Sequence, residues 1–305
     1  MVKRRTPSRR IARTRQDSPT IAPTGTGAAL HVVATPIGNL KDLSGRAREV
    51  LASAALVAAE DTRHTQQLLE AHGIRARLVS VHEHNEAQRV AEILQALAGG
   101  ASVALVSDAG TPLVSDPGLR IVRAAIDAGF EVRTVPGPCA AIAALSIAGL
   151  ETERFAFEGF LPAKSAARRA RLASLRADPR TLIFYEAPHR LGESLEDLSA
   201  AFGPARHAVI ARELTKRFET VYRGTLEELV QRAQQDGDLQ RGEIVIVIEG
   251  APPAASADEA EIEHVLGVLL AQLSVSQAAD LAAALTGTSR NTTYRLALKL
   301  SGQGN

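Results

Sequence analysis

Four short polar segments carry residue types suited to holding a ligand: TPIGNLKD (35–42), EDTRHT (60–65), SDAGTPLVSDPG (107–118) and PGPCA (136–140). Each follows an apolar run that reads as a β-strand, within LHVVAT, LVAAED, SVALVSDAG and EVRTVPG. Open α/β sheets bind ligands in the crevice outside the carboxyl ends of their strands, so the four segments share one address. Taken singly, each reads more readily as a plain turn than as a site, because Gly and Pro after a strand are turn formers. Their convergence on one edge is what points to a site. Gly110, Gly118 and Gly137 let backbone N–H and C=O groups come close to a ligand. Asp108 and Asp116 supply acceptors for a ribose or an amino-acid ammonium. There is no GxGxxG after the first strand and no GxxxxGK[ST], which weakens the dehydrogenase and NTPase readings.

A second group of candidates lies further on. YEAPHR holds Glu186, His189 and Arg190, and ARELTKRFE holds Arg212, Glu213 and Lys216, both at predicted strand ends. These residue types accept protons or bind phosphate, although a His near a helix start is often a cap and Glu or Lys in a turn is often simply solvated. SAARRARLASLRADPR, preceded by Lys164, is an Arg-rich helix that also reads as a solvated face. The chain ends in SQAADLAAALTGTSRNTTYRLALKL, with Arg290, Asn291, Thr292, Tyr294 and Arg295 after a turn at Gly287. This is the outline of a helix-turn-helix, and equally of a plain helical hairpin.

The elements that must position these groups alternate strand and helix from Leu30 on, which predicts a mostly parallel, doubly wound α/β sheet. A second α/β set begins near Phe155, with strands close enough in sequence to make part of its sheet antiparallel. The expected division is a disordered basic tail over 1–28, α/β domains over 29–150 and 151–250, a linker over 251–260 and a helical appendage over 261–305. The 305 residues suffice for two cores. A net charge of +1 gives no global pull toward nucleic acid, and 3% aromatic residues with no Trp argue against a broad base-stacking platform. Cys139 is the single cysteine, so neither an intrachain disulfide nor a thiol-based zinc site is expected, and no metal is. No apolar run approaches the roughly 20 residues of a membrane helix, and the tail lacks the apolar stretch of a secretory signal. A cytoplasmic protein is expected.

TPIGNLKDLSGRA, AAEDTRHT, SDAGTPLVSDPG and VPGPCA, in this order, resemble the motifs of the tetrapyrrole-methylase-like superfamily. With FEGFLP, FYEAPHR, ARELTKRFET and GEIVIVIEG they resemble more narrowly its ribosomal RNA branch, the small-subunit cytidine 2′-O-methyltransferases. The likeness spans about Leu30 to Gly250 and extends to the terminal helices. It implies two α/β domains with S-adenosylmethionine held in the cleft between them, contacted by Asp108, Ala109, Gly110, Thr111, Pro136 and Gly137. It places Thr35, Pro36, Gly38 and Asn39, with Asp61, Arg63 and His64, nearer the acceptor. Where the family often has Ser or Thr one residue after PG, this chain has Pro138 and Cys139, which removes a hydroxyl contact. The resemblance also implies small-subunit ribosomal RNA as partner, in an assembled 30S particle, and a homodimer. A hydroxyl acceptor must surrender a proton, so a base is required. Glu213 is the first candidate, then His189 and Lys216, with Lys216, Arg212 and Arg190 placing phosphates. The competing expectations are a porphyrinoid methylase, for which the Arg-rich helix and helical tail have no evident use, and a nucleic-acid-binding regulator with a ligand-sensing body.

Overall fold

The computed structural model describes residues 27–82, 85–252 and 259–302. Most of the expected basic tail (1–26) and of the expected linker (253–258) lies outside them. The chain divides into two compact units, 1–140 and 141–305.

The first unit runs β1 (Ala29–Val33), α1 (Gly45–Ser53), β2 (Leu56–Ala59), α2 (Thr62–Ala71), β3 (Leu78–Ser80), α3 (Glu86–Ala98), β4 (Val103–Val106), α4 (Leu119–Asp127) and β5 (Glu131–Val135). The strand order is β3-β2-β4-β1-β5, and every pairing is parallel. Alternate residues of each strand face opposite sides. Val33, Val57, Ala59, Ala104 and Val106 pack with Leu51 of α1 and Leu68 and Leu69 of α2. Leu30, Leu56, Ala58, Val103 and Leu105 pack with Ile93 and Leu97 of α3 and Ile121 of α4. Helices on both faces explain why β2 and β4 are buried at every position. An all-parallel sheet carries all its carboxyl ends on one edge, as the alternating sequence predicts.

The second unit holds α5 (Ala140–Ala148, all but its first residue), β6 (Phe155–Phe160), α6 (Ser165–Leu175), β7 (Thr181–Glu186), α7 (Leu191–Phe202), β8 (His207–Arg212), β9 (Thr220–Thr225), α8 (Leu226–Gln235) and β10 (Ile244–Ile248). α5, expected to close the first half, is tied here by hydrogen bonds from Arg223 of β9 to the carbonyls of Ile147 (2.5 Å) and Ala148 (3.3 Å). The sheet order is β6-β7-β10-β8-β9; β6 and β7 are parallel and the other pairs antiparallel, so the partly antiparallel expectation holds. Leu172, Leu195, Leu198 and Leu229 of α6, α7 and α8 cover one face through Phe184, Ile210 and Ile246.

Three further helices, α9 (Glu259–Leu270), α10 (Val275–Thr286) and α11 (Arg290–Leu300), enclose a small core of Ile262, Leu266, Ala278, Ala279, Ala282, Leu296 and Ala297. α10 begins with a Ser274–Gln277 capping box and ends at Gly287 in the left-handed region (φ 65°); Ser289 then caps α11. Thr293 locks the two helices by donating to the Ala279 carbonyl at 3.0 Å. No described helix is long and apolar enough to cross a membrane.

Candidate functional site

Each of the four loops singled out by sequence leaves the carboxyl end of a strand in the first sheet: after β1, β2, β4 and β5. Parallel pairing of β2 with β4 aligns Ala59 with Val106, so the residues that follow, Glu60–Asp61 and Ser107–Asp108, lie side by side. The Asp61 amide donates to Asp108 Oδ1 at 2.9 Å. The first and third loops are joined likewise. Thr35 and Gly110 exchange two backbone hydrogen bonds (2.8 and 3.2 Å), and the buried Thr35 hydroxyl donates to the Ser107 carbonyl at 3.2 Å. The third and fourth loops meet where Thr111 Oγ1 donates to the Pro138 carbonyl at 3.0 Å.

Two glycines keep this edge open. Gly110 adopts φ 83°, and a Cβ there would come within 3.3 Å of Ile37 Cγ2 and 3.6 Å of the Pro138 carbonyl. A Cβ on Gly137 would lie 3.0 Å from that of Ala34. Ala109, Pro136 and Gly137 are exposed, Asp108 and Thr111 half-buried, and Gly110 buried.

Charge gathers at the same edge. Burial, and then the charges of Asp108 and Asp116, raise the Glu60 carboxyl above its ordinary pKa. Burial also raises Asp116, against a hydrogen bond involving Ser107 that lowers it, and Asp108 adds to the rise. Three carboxyls from two loops therefore converge on one place. Removing a cation from water there is offset by their charge. The sequence singled out Asp108 and Asp116 but not Glu60, because the non-consecutive pairing of β2 with β4 is what brings it in.

The remaining residues expected near the acceptor have local duties. Asn39 accepts from the Lys41 amide at 3.1 Å and caps the 3-10 turn Leu40–Asp42. Asp61 caps α2 through the Arg63 amide at 2.8 Å, and its carboxylate is 3.6 Å from Arg63 Nε. Arg63 and His64 project into solvent from the first turn of α2, while Pro36 is half-buried and Gly38 exposed.

In the second unit the register pairs Ile244 with both Glu186 and Arg212, so the YEAPHR and ARELTKRFE clusters lie at one edge of that sheet. Glu186 is fully buried. It accepts from the Ala187 amide (2.7 Å), from Ser194 Oγ (2.5 Å) and from Arg190 Nη2. Arg190 Nε is buried with no acceptor among the described residues. His189 is exposed and borders a cavity of about 340 Å³ with Leu191, Gly192, Leu239 and Gln240. Arg212 is buried and donates to the carbonyls of Arg241 (2.9 Å) and Phe218 (3.2 Å). It is a strut for the 213–219 turn, which occupies donors the sequence reading gave to phosphate.

Glu213 heads that turn at φ 53°. Its Oε1 accepts from Lys216 Nζ (2.8 Å) and from the Glu243 amide (2.9 Å). Burial pushes the Glu213 carboxyl up, but Lys216 and the Glu243 amide more than reverse that, leaving it below its ordinary pKa. Burial pulls Lys216 down, yet Glu213 and Glu243 hold it above its ordinary value, so it is a cation at neutral pH. Both bonds to Glu213 fall on Oε1, which leaves acceptor capacity on Oε2.

The Arg-rich helix is different from its sequence appearance. Arg168 of α6 is 2% exposed and ties α6 to α7 through Asp197 (2.7 Å) and Glu193 (3.3 Å). Arg169 approaches Asp197, and Arg171 pairs with Glu158. Most of its charge is thus matched within the unit, and the solvated-face alternative fits only part of it.

The family model of the Tetrapyrrole (Corrin/Porphyrin) Methylases matches residues 29–230, and that of the RsmI C-terminal HTH domain matches residues 256–301. A ribosomal RNA small subunit methyltransferase I from Pseudomonas aeruginosa is 53% identical over 276 residues, covering 90% of this chain and 98% of that one. The protein of the same name from Escherichia coli O157:H7 is 49% identical over 273 residues, covering 90% and 96%. Among solved structures, the uroporphyrin-III-C-methyltransferase of Thermus thermophilus aligns with a TM-score of 0.53 at 24% identity, covering 74% of this chain and 96% of that one, a likeness of fold.

Proposed function

This chain belongs to the ribosomal RNA small subunit methyltransferase I family within the tetrapyrrole methylases and is an S-adenosylmethionine-dependent methyltransferase; on that premise we propose that it methylates the 2′-hydroxyl of a cytidine in the decoding region of small-subunit ribosomal RNA. The assembled particle as substrate, a homodimer and a cytoplasmic location belong to the same proposal. The observation that carries it is the Glu213–Lys216 pair at a strand end, a carboxylate with spare acceptor capacity bound to a cation. A hydroxyl acceptor needs such a pair, and a nitrogen acceptor on an aromatic base can dispense with it.

The first unit suits the cofactor. S-adenosylmethionine carries positive charge on its sulfonium and its ammonium, and the edge formed by Glu60, Asp108 and Asp116 offers matching carboxylates. The small residues Ala109, Gly110 and Gly137, with Thr111 and Pro136, form the backbone cradle in this assignment. When bound, the cofactor supplies an electrophilic methyl carbon whose departing thioether is neutral and needs no acid. Binding to raised carboxyls requires them to ionise. Affinity should therefore rise with pH across the mildly acidic range above about 4, and binding should release protons. Calorimetry in buffers of different ionisation enthalpy reads this directly, and proton uptake would place the cation elsewhere.

On the acceptor side, Lys216 holds Glu213 in place and ionised. Glu213 Oε2 takes the hydroxyl proton. As the C–O bond forms that hydrogen becomes strongly acidic, so even a carboxylate below its ordinary pKa suffices if the proton leaves late. Arg190, with its Nη2 on Glu186 and its Nε buried, has Nη1 left to donate to a neighbouring phosphate. Arg212 and Glu186 hold the two segments in place.

The test is transfer of tritiated methyl from S-adenosylmethionine to immature small subunits, with a porphyrinogen in parallel. Label in the RNA is expected, and label in the macrocycle would sink the reading. Ending the chain at residue 252 removes the separately cored helices α9–α11 and should weaken RNA binding while leaving cofactor affinity unchanged. Equal loss of both would show those helices to be part of the catalytic body.

A further inference from the structure

We propose that Phe218 and Arg217, at the tip of the β8–β9 hairpin, grip one unpaired base of the RNA substrate and its phosphate; this rests on the RNA reading above. The chain has ten aromatic residues, and Phe218 is the most exposed of them at 63%. The Arg217 guanidinium lies 5.4 Å from its ring centroid, over one face. Arg217 forms no ion pair among the described residues, unlike most arginines of α6. Folding gains nothing by leaving an aromatic ring in water, and the exposed guanidinium beside it adds only a weak cation–π attraction.

The backbone beneath the pair is over-determined. Glu213 (φ 53°) and Thr215 (φ 65°) both occupy the left-handed region, which disfavours side chains. The Thr215 amide donates to Glu219 Oε2 at 2.6 Å, and the Lys216 amide to the Glu213 carbonyl at 3.0 Å. The Phe218 carbonyl receives both Arg212 Nη1 (3.2 Å) and Thr220 Oγ1 (3.1 Å). Strain held in place by such bonds is typical of functional segments. A ring on a fixed backbone loses little entropy when a base stacks on it.

Position supplies the purpose. The hairpin tip springs from the same sheet edge as Glu213 and Lys216, so a base held on Phe218 sits within the same turn as the acceptor-side pair. Proteins read unpaired RNA by stacking bases on aromatic rings and guanidinium planes. A grip that needs a single ring also agrees with a chain too poor in aromatics for a stacking platform.

The test uses the full-length chain and small-subunit particles. Phe218→Ala should raise KM for the particle roughly tenfold, with the affinity for S-adenosylmethionine and the melting temperature unchanged. Phe218→Tyr should restore the wild-type KM, and Phe218→Leu should not. Arg217→Gln should reduce the slope of log affinity against log salt by about one, as loss of one phosphate contact requires. Wild-type KM in Phe218→Ala, or equal rescue by Leu and Tyr, would overturn the proposal, the latter because it signals an apolar contact with a protein. A wild-type chain that methylates no RNA would instead overturn the function on which it rests.

Discussion

Replacing Gly110 by Val is expected to abolish S-adenosylmethionine binding, lowering affinity at least about a hundredfold, or roughly 2.7 kcal/mol. Gly110 stands at φ 83°, where a β-branched residue is a genuine outlier costing on the order of 1–3 kcal/mol. Its Cβ would also press on Ile37 Cγ2 at 3.3 Å and on the Pro138 carbonyl at 3.6 Å. Relief by backbone rotation breaks the paired bonds to Thr35, and displacing Pro138 breaks the one from Thr111. Three loops would move together. Ile37, the side chain that the new Cβ would press on, belongs to neither core cluster of the first unit, so the fold should survive. Gly100→Val is the control. Gly100 has φ 83° as well but nothing within 4 Å of its Cβ position, and it precedes β4 rather than following it. It should lower the melting temperature by the backbone penalty alone, less than Gly110→Val does, and leave cofactor affinity intact. Equal affinity in both variants, measured by calorimetry, would move the cofactor away from these loops.

The contrast between the two glycines shows what sequence can and cannot reveal. Four polar loops after four apolar runs were legible, because strand–helix alternation dictates a parallel sheet and a parallel sheet gathers its carboxyl ends. Strand order was not. Glu60 reaches Asp108 only because β2 neighbours β4, and Thr35 reaches Gly110 only because β1 does. No local pattern encodes such pairings, which are decided by packing of the whole sheet. Buried charge was hidden for the same reason. Arg168 looks like its solvated neighbours in α6, but its partners Glu193 and Asp197 come from α7. Arg212 reads as a phosphate ligand until the carbonyls of Arg241 and Phe218 are seen around it. The left-handed Glu213 and Thr215 carry no glycine to announce them. What the sequence lacked at the site was therefore long-range geometry rather than residue identity.

Glu213→Gln is expected to lower turnover by roughly two powers of ten while leaving cofactor affinity nearly unchanged. The substitution preserves shape, which matters here because the Glu213 side chain lies against Gly242, where any Cβ would come within 2.6 Å of it. Its amide oxygen can still accept from the Glu243 amide. What disappears is the charge that receives the ribose proton and holds Lys216. The pH profile separates chemistry from structure. Because Lys216 and the Glu243 amide hold the Glu213 carboxyl below its ordinary pKa, it stays ionised into acid, and the wild-type enzyme should lose this contribution only as pH falls through that lowered value. The stability the pair contributes follows the same sign, present above the ordinary Glu pKa and lost below the lowered one. The Gln variant should show neither dependence. The acceptor atom is checked separately by alkaline hydrolysis, since a methylated 2′-oxygen cannot attack the adjacent phosphate and leaves a gap in the ladder. A complete ladder from fully methylated RNA would assign the methyl to a base, where no such proton acceptor is required. A fully active Glu213→Gln enzyme beside a gapped ladder would keep the ribose chemistry and send the search for the proton acceptor to His189 or to Lys216, which in that variant has lost one of its two carboxylate partners.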